Sequence, residues 1–176
     1  ARSRGLGDVY KRQAMFIFVS CFTSKAFSDG HAIKMGIILG FTGPIESLTP
    51  AMAASAELAF KEASDSGKLL GGKSIMIERA DSTCVDSAAA TTAAEGLVSN
   101  GVLAIMGADC SGVTGAIATN VAVPNGVVMI SPSATSPGLT DLKDKGYFFR
   151  TAPSDARGGQ VLACLLYTSP SPRDLA

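Results

Sequence analysis

The chain has 176 residues, of which 47% are hydrophobic and 17% are charged, and its formal net charge is zero. The hydrophobic fraction excludes a disordered chain, and the charge balance gives no basic face of the kind that a nucleic-acid partner requires. The length is sufficient for one domain or for part of a larger one.

The two ends of the chain, residues 1–13 and 164–176, have neither helix nor strand periodicity and are explained by a single piece of DNA. Codons for the stretch CLLYTSPSPRD, read on the opposite strand, encode SRGLGDVYKR, which is the sequence of residues 3–12. The shared string resembles a transposase adapter used to prepare sequencing libraries. We therefore predict that both segments are adapter-derived, and we exclude them from the interpretation of the fold.

Residues 14–30 contain the apolar run Met15–Phe22, followed by the small residues Ser24 and Ala26. The run is too short to span a bilayer, which takes about 20 residues. It is typical of the hydrophobic part of a secretory signal, so the sequence predicts a partial signal peptide and export to the periplasm. A buried first strand is the alternative, and a lipoprotein site at Cys21 is a weaker option.

The first predicted strand covers residues 33–39, a short β-branched apolar run that ends at a glycine. A helix is predicted next, with Thr49 as its N-cap, Pro50 at its first position and Gly67 at its end. Its apolar residues fall on one stripe at helical spacing: Met52, Ala56, Ala59, Phe60 and Ala63. The stripe predicts an amphipathic helix packed on a sheet.

A second strand and helix follow in the same order. Residues 74–80 alternate between apolar and polar, which predicts a half-exposed strand. Residues 86–101 are rich in alanine, with Asp86 as the candidate N-cap and Gly101 as the stop signal, so they predict a helix.

The alternation continues with apolar strands predicted at 102–107 and 127–131, on either side of a helix at 111–123. Residues 147–151 begin a further strand, and residues 154–163 begin a last helix. Strands that alternate with helices predict βαβ units, and hence an α/β fold with a doubly wound, mainly parallel sheet. Wholly apolar strands are typical of a sheet that helices cover on both faces.

Four loops follow the predicted strands at the carboxyl edge of the sheet, where open α/β sheets bind ligands. Two of them, GADCSG and SPSATSPG, are rich in hydroxyl groups and small residues. Backbone N–H groups at a helix N-terminus favour an anion such as a carboxylate, and the hydroxyls of Ser111 and Thr135 would add donors. A cradle for a small anion is one interpretation, and ordinary turn chemistry explains the same residues equally well.

The residues that catalysis or cofactor binding would need are mostly missing. Ser111 is not in a G-x-S-x-G motif, and His31, the single histidine, is poorly placed to be a general base. Glycine motifs for nucleotides and metal-ligand spacings do not occur, so no cofactor or metal is expected. Cys110 could be a nucleophile, although a disulfide to Cys84 is chemically plausible in an exported protein. Three aspartates near strand ends are expected to cap or to face solvent: Asp81, Asp86 and Asp109.

A family likeness rests on the stretches IKMGIILGFTGP, GADCSG, MISPSAT and FFRT, together with the pair Cys84 and Cys110. In combination they resemble the N-terminal lobe of periplasmic branched-chain amino-acid-binding proteins, the substrate-binding subunits of ABC importers. The resemblance implies two α/β lobes that close over an amino acid, with residues 31–163 forming a truncated N-terminal lobe. It also implies a disulfide between the two cysteines, a monomeric full-length protein and the permease subunits as partners.

The resemblance implies roles for single residues in the two hydroxyl-rich loops. Ser111 and Thr135 would bind the ligand α-carboxylate through hydroxyl and backbone N–H groups. The carbonyl group of Ser133, with Thr135, would meet the α-ammonium group, and Ala134 lies in the same ligand-binding loop.

The first loop departs from the family pattern. The family often places an aromatic residue after the GP of this loop, and here Glu46 or Leu48 takes that place in IESL. We expect an exported solute-binding protein for an aliphatic amino acid, with Leu48 near the ligand side chain. The alternative is a ligand-sensing receptor or regulator domain of the same fold, such as an amide sensor.

Overall fold

A computed structural model of the protein describes residues 32–168. The predicted adapter segment 1–13, the predicted signal peptide 14–30 and His31 lie outside the described residues, as do residues 169–176. The described part contains one five-stranded sheet, whose strands are β1 (Ala32–Leu39), β2 (Ser74–Asp81), β3 (Ala104–Gly107), β4 (Val128–Ser131) and β5 (Phe148–Arg150).

Four main helices alternate with the strands: α1 (Thr49–Asp65), α2 (Ser87–Ser99), α3 (Ser111–Ile117) and α4 (Asp155–Thr168). Helix α3 continues through a π-helical segment, Ala118–Ala122, into a last turn at Val123–Asn125. All strand pairs are parallel, and their order across the sheet is β2-β1-β3-β4-β5. The predicted α/β fold with a doubly wound parallel sheet is confirmed.

Strands β3 and β4 begin later than the apolar runs predicted. The N–H of Val102 donates to the carbonyl oxygen of Leu97 at 3.2 Å, and that of Val127 donates to Ala122 at 2.9 Å. Both bonds satisfy the C-terminal carbonyls of the preceding helices, which lack partners within those helices. Pairing between strands therefore starts only after each valine.

The N-terminus of α1 differs from the prediction. Leu48 occupies the N-cap position without a side-chain bond, and Thr49 is the first helical residue. The Thr49 side chain is buried and its hydroxyl lies within hydrogen-bonding distance of the carbonyls of Gly40 and Glu46. Thr49 therefore links α1 to the preceding loop through its hydroxyl and does not act as the N-cap of the helix. The predicted cap at Asp86 is confirmed, since its carboxylate accepts from two N–H groups of α2.

Helices α2 and α3 cover one face of the sheet and enclose the larger core, built on Ile38, Ile105 and Met129. Helix α1 covers the other face at β1, where Ile37 and Leu39 are fully buried with Ala53. Ala53 was outside the predicted stripe, while the stripe residue Ala59 is exposed, because the helix meets the sheet slightly to one side of that stripe.

The second face is only partly covered within the described residues. Met106, Ile130 and Phe149 are register neighbours across β3, β4 and β5, and we call them the apolar strip. Met106 is half-buried, whereas Ile130 is 41% and Phe149 is 52% exposed. The prediction that helices cover both faces is thus correct for one face and wrong for this part of the other.

Helix α4 starts close to the predicted position and continues to Thr168, into the segment predicted to be adapter-derived. Every residue of α4 is exposed. The helix therefore contributes no side chain to the described core, and the cysteine within it, Cys164, is a free and exposed thiol.

Candidate ligand-binding site at the carboxyl edge of the sheet

The strand order creates a crevice at the carboxyl edge of the sheet. Strand β1 lies between β2 and β3, so the chain moves outward in one direction after β1 and in the other after β3. Helices that follow such neighbouring strands lie on opposite faces, and the gap between their loops is where open α/β sheets bind ligands. The loops that begin at Gly40 and Ala108 leave the sheet at this point.

Ser111 links the loop after β4 to the start of α3. Its Oγ accepts hydrogen bonds from the N–H groups of Thr135 and Ser136, both at 3.1 Å. The carbonyl oxygen of Thr135 accepts from the N–H of Asp155 at 3.0 Å. The structure therefore brings Ser111 and Thr135 together, as the sequence predicted, and holds the backbone of Thr135 on both sides.

Several polar groups of this cluster have no partner among residues 32–168. The hydrogen of the Ser111 hydroxyl, the Thr135 hydroxyl and the Ser133 carbonyl oxygen make no hydrogen bond within the described part of the chain. Ser111 and Thr135 are half-buried, and Ser133 is exposed. Two hydroxyl donors and one carbonyl acceptor are thus available to a small ligand at the same edge.

Ala134 has a different position from its neighbours. Its side chain is 0% exposed and packs in the larger core, and its N–H donates to Ser131 Oγ at 3.1 Å. The Ser131 hydroxyl in turn donates to the carbonyl oxygen of Ala108 at 2.5 Å. Ala134 therefore anchors the loop on which Ser133 and Thr135 lie.

Cys84 and Cys110 form a disulfide, with their Cα atoms 5.2 Å apart, that joins the loops after β2 and β3. Cys110 occupies the N-cap position of α3 and directly precedes Ser111. The predicted pairing is confirmed. A sulfur that is bonded to another sulfur is not the thiolate that nucleophilic chemistry requires.

Asp109 is buried, in contrast to the expectation that it faces solvent or caps a helix. It is 4% exposed, and its carboxylate accepts hydrogen bonds from three groups: the N–H of Gly40 at 2.7 Å, the N–H of Cys110 at 2.9 Å and the hydroxyl of Ser82 at 3.3 Å. An acidic residue after an apolar strand gives no signal of burial by itself. Two of the donors, Gly40 and Ser82, come from other loops, which sequence reasoning could not bring together with Asp109.

Asp81 connects the loops after β1 and β2. Its carboxylate accepts from the Thr42 hydroxyl at 2.6 Å and from the N–H of Thr83 at 2.8 Å. Burial would raise the pKa of Asp81, but hydrogen bonds from Thr42 and from backbone N–H groups of Thr83 and Phe41 outweigh it and hold the pKa below its usual value. Asp81 therefore accepts hydrogen bonds that hold the two loops together. The expectation that it would cap or face solvent described this role only in part.

The first loop brings less to the site. Leu48 ends this loop with its side chain 61% exposed, and Glu46 is also exposed. Both lie at the carboxyl edge of the sheet, and neither belongs to the hydrogen-bonded group around Ser111. Their exposure leaves them free to contact a ligand that bridges the crevice.

Residues 32–168 contain neither a cluster of metal ligands nor a membrane-spanning helix. In this range no three or more side chains of His, Cys, Asp or Glu lie together as a metal ion would need. Helices in the same range are all too short or too polar to cross a membrane.

Comparison with known proteins gives one consistent result. A family model described as "Periplasmic binding protein" matches residues 32–170. Over 169 residues the chain is 30% identical to a leucine-specific-binding protein of Salmonella typhimurium, a match that covers 94% of the chain and 44% of that protein. It is also 30% identical over 142 residues to a Leu/Ile/Val-binding protein homolog of Brucella melitensis, covering 81% of the chain and 37% of that protein.

A solved structure shares the fold. The branched-chain amino acid transporter substrate binding protein LivJ of Streptococcus pneumoniae, in complex with isoleucine, superimposes with a TM-score of 0.69 at 31% identity. The match covers 78% of this chain and 38% of that one. The chain spans less than half the length of each of these three proteins.

Proposed function

The chain belongs to the periplasmic binding protein family, and from this premise we propose that it is part of an exported solute-binding protein that captures an aliphatic, branched-chain amino acid for an ABC importer. Residues 31–163 would form its N-terminal lobe. The observation that carries the proposal is the group of ligand-accessible polar atoms that Ser111, Ser133 and Thr135 present at the switch point of the sheet.

Ser111 is suited to bind a carboxylate. Its oxygen accepts two N–H bonds, from Thr135 and Ser136, so its remaining function is to donate its hydrogen. A hydroxyl that already accepts hydrogen bonds is polarised into a stronger donor, and bonds from such donors to a carboxylate are among the stronger kinds. The Thr135 hydroxyl would supply a second donor to the same α-carboxylate.

The α-ammonium group would be bound by the Ser133 carbonyl oxygen, with the Thr135 hydroxyl as a second acceptor. This contact uses the backbone at position 133, because the Ser133 hydroxyl donates to the carbonyl oxygen of Asp109 at 3.0 Å. The remaining ammonium ligands would come from the second lobe that the family resemblance implies. Closure of that lobe would exclude water and strengthen each of these bonds.

The apolar part of the ligand would lie against the first loop. Leu48 offers an exposed aliphatic side chain there, which supports an aliphatic ligand side chain over a charged one. The relatives' names, Leu/Ile/Val-binding and leucine-specific-binding protein, support the same ligand class. The protein would work in the periplasm as a monomer, deliver its ligand to the membrane permease and catalyse no reaction.

Isothermal titration of the full-length gene product with Leu, Ile and Val tests the proposal. We expect saturable binding of at least one of the three, with a stoichiometry of about one per chain, as a single closed cleft requires. Absence of binding to all three would overturn the ligand assignment.

Two variants test the site directly. Ser111→Ala and Thr135→Ala each remove a hydroxyl bond to a charged group, so each is expected to weaken binding about 10- to 100-fold. Thr119→Ala, at an exposed position further along the same helix, is the matched control and should bind like the wild type. Equal affinities in all three variants would place the ligand elsewhere.

A further inference from the structure

Asp109 is the one acidic residue between 32 and 168 that is buried. The ion pairs found in that range, Lys34–Glu78, Lys61–Asp65 and Arg79–Glu57, do not include it. Its carboxylate is therefore compensated only by N–H and O–H donors. Burying such a group is costly unless it is fully hydrogen-bonded, so the three bonds it accepts are a requirement of its position.

The partners of Asp109 come from all four loops at the carboxyl edge. Gly40 follows β1, Ser82 follows β2 and Cys110 follows β3, and each donates to the carboxylate. Its backbone carbonyl oxygen accepts from the hydroxyl of Ser133, which follows β4. Asp109 thus lies at the centre of the site without being one of its accessible polar groups.

We propose that Asp109 is the positioning residue of the ligand site, an inference that rests on the proposed function. Through Cys110 it fixes the start of α3 and hence the direction of the Ser111 hydroxyl. Through Ser133 it fixes the loop that supplies the carbonyl acceptor. By holding Gly40 it sets both of these against the first loop. Asp109 would act on affinity through these residues and not by touching the ligand.

The same substitution at two aspartates separates this role from a general effect of an acidic residue. In Asp109, one carboxylate oxygen accepts from Gly40 and the other from Cys110 and Ser82. An asparagine there has only one oxygen, so one backbone N–H would face an NH2 group. In Asp86, a single oxygen accepts from both Ala88 and Ala89, and asparagine reproduces this because it is an equally good N-cap.

Amide hydrogen exchange of the unliganded chain is the first test, because it needs no ligand. In Asp109→Asn, the N–H groups of Thr135 and Ser136 should exchange about tenfold faster, measured relative to the N–H of Leu97, which reports on the core. The reason is that an unpaired buried donor disturbs its surroundings. Asp86→Asn should change the same ratio by less than about twofold. An unchanged ratio in Asp109→Asn would overturn the proposal.

If Asp109→Asn does not fold, Ser82→Ala tests the positioning role of Asp109 in its place. It removes the longest of the three bonds and leaves both backbone donors in place. A rise of about two- to threefold in the Thr135 exchange ratio supports the proposal, and no rise overturns it.

Ligand affinity of the full-length product is the second test. With both variants fully folded, we expect Asp109→Asn to bind branched-chain amino acids about tenfold more weakly, and Asp86→Asn to match the wild type. Equal affinity in Asp109→Asn overturns the positioning role while the proposed function stands. Absence of binding in the wild type overturns the proposed function, and the exchange ratios still decide whether Asp109 holds these loops.

Discussion

At the scale of single residues, the site is organised by side chains that accept hydrogen bonds from the backbone. Ser111, Asp81 and Asp109 each accept from an N–H group of a loop that is distant in sequence, at Thr135, Thr42 and Gly40 respectively. Many loop N–H groups have no acceptor in a strand or a helix, and these side chains supply one. A buried N–H group without an acceptor would lower the stability of the fold. The geometry of the candidate site is therefore set before any ligand is present.

Asp81 makes the stability of these loops dependent on pH. Its folded pKa lies below the usual 3.8, so the ionised form stabilises the fold at pH values above that, and the contribution is lost as the pH falls through the folded pKa. In Asp81→Asn, the amide oxygen can accept from the N–H groups of Thr42 and Thr83, and the NH2 group can donate to the Thr42 hydroxyl. We expect nearly wild-type stability at pH 7 and a smaller loss of stability than in the wild type as the pH falls below 3.8.

Chemical denaturation at several pH values measures this effect. Asp81→Ala is the matched comparison, because it removes the titrating group and the hydrogen bonds together. It should be less stable than Asp81→Asn at pH 7, by about 1–3 kcal/mol for the donors left unpaired. If Asp81→Asn loses as much stability in acid as the wild type, Asp81 is not the group responsible.

At the scale of elements, the disulfide holds the start of α3 to the loop after β2. Its two cysteines are separated by 26 positions in the sequence. A cross-link restricts the unfolded chain, and a loop of this length is worth about 3–4 kcal/mol in the chain-entropy account. The pair Cys84→Ser and Cys110→Ser should therefore unfold at a clearly lower urea concentration than the oxidised wild type.

Urea denaturation with and without a dithiol reductant checks the effect of the disulfide. The reduced wild type should resemble the double variant. Cys164→Ser removes a free and exposed thiol and should change stability by less than about 0.5 kcal/mol. Equal midpoints for the oxidised and reduced wild type would contradict the prediction.

The elements themselves could be predicted closely, and the links between them could not. Local signals fixed the strand at β1 and the cap at Asp86, because periodicity and capping depend on neighbouring residues. Thr49 and Asp109 were misassigned because their partners, such as Gly40, are distant in sequence or lie in another loop. The likeness to a known family supplied the Cys84–Cys110 pairing, which spacing alone left open against a reactive thiol.

At the scale of the whole molecule, the apolar strip leaves two large hydrophobic side chains of the sheet exposed. Ile130 and Phe149 lie side by side on β4 and on β5, which is an edge strand of the described sheet. An exposed apolar pair next to an open edge is a site for association with other chains. We therefore expect the 176-residue chain to self-associate as its concentration rises.

Phe149→Lys should reduce this association, because it places a charge on the strip next to the open edge. Leu58→Lys is the matched control, since Leu58 is an exposed leucine on α1 and does not belong to the apolar strip. Sedimentation velocity over a range of concentrations measures the effect. An equal reduction by both variants would mean that general charge, and not the strip, controls association.

The strand order also determines when the sheet can be assembled. Strand β1 lies inside the sheet and its end is fully buried, yet its partner residues lie 42 positions further along the chain in β2 and 69 positions further in β3. No hairpin can form early to protect it, and every pairing must first close a long crossover. Parallel sheets with such distant contacts fold slowly. Slow pairing would keep the newly made chain extended for the export that we propose, and no strand pairs with the other side of β1 before β3 has emerged.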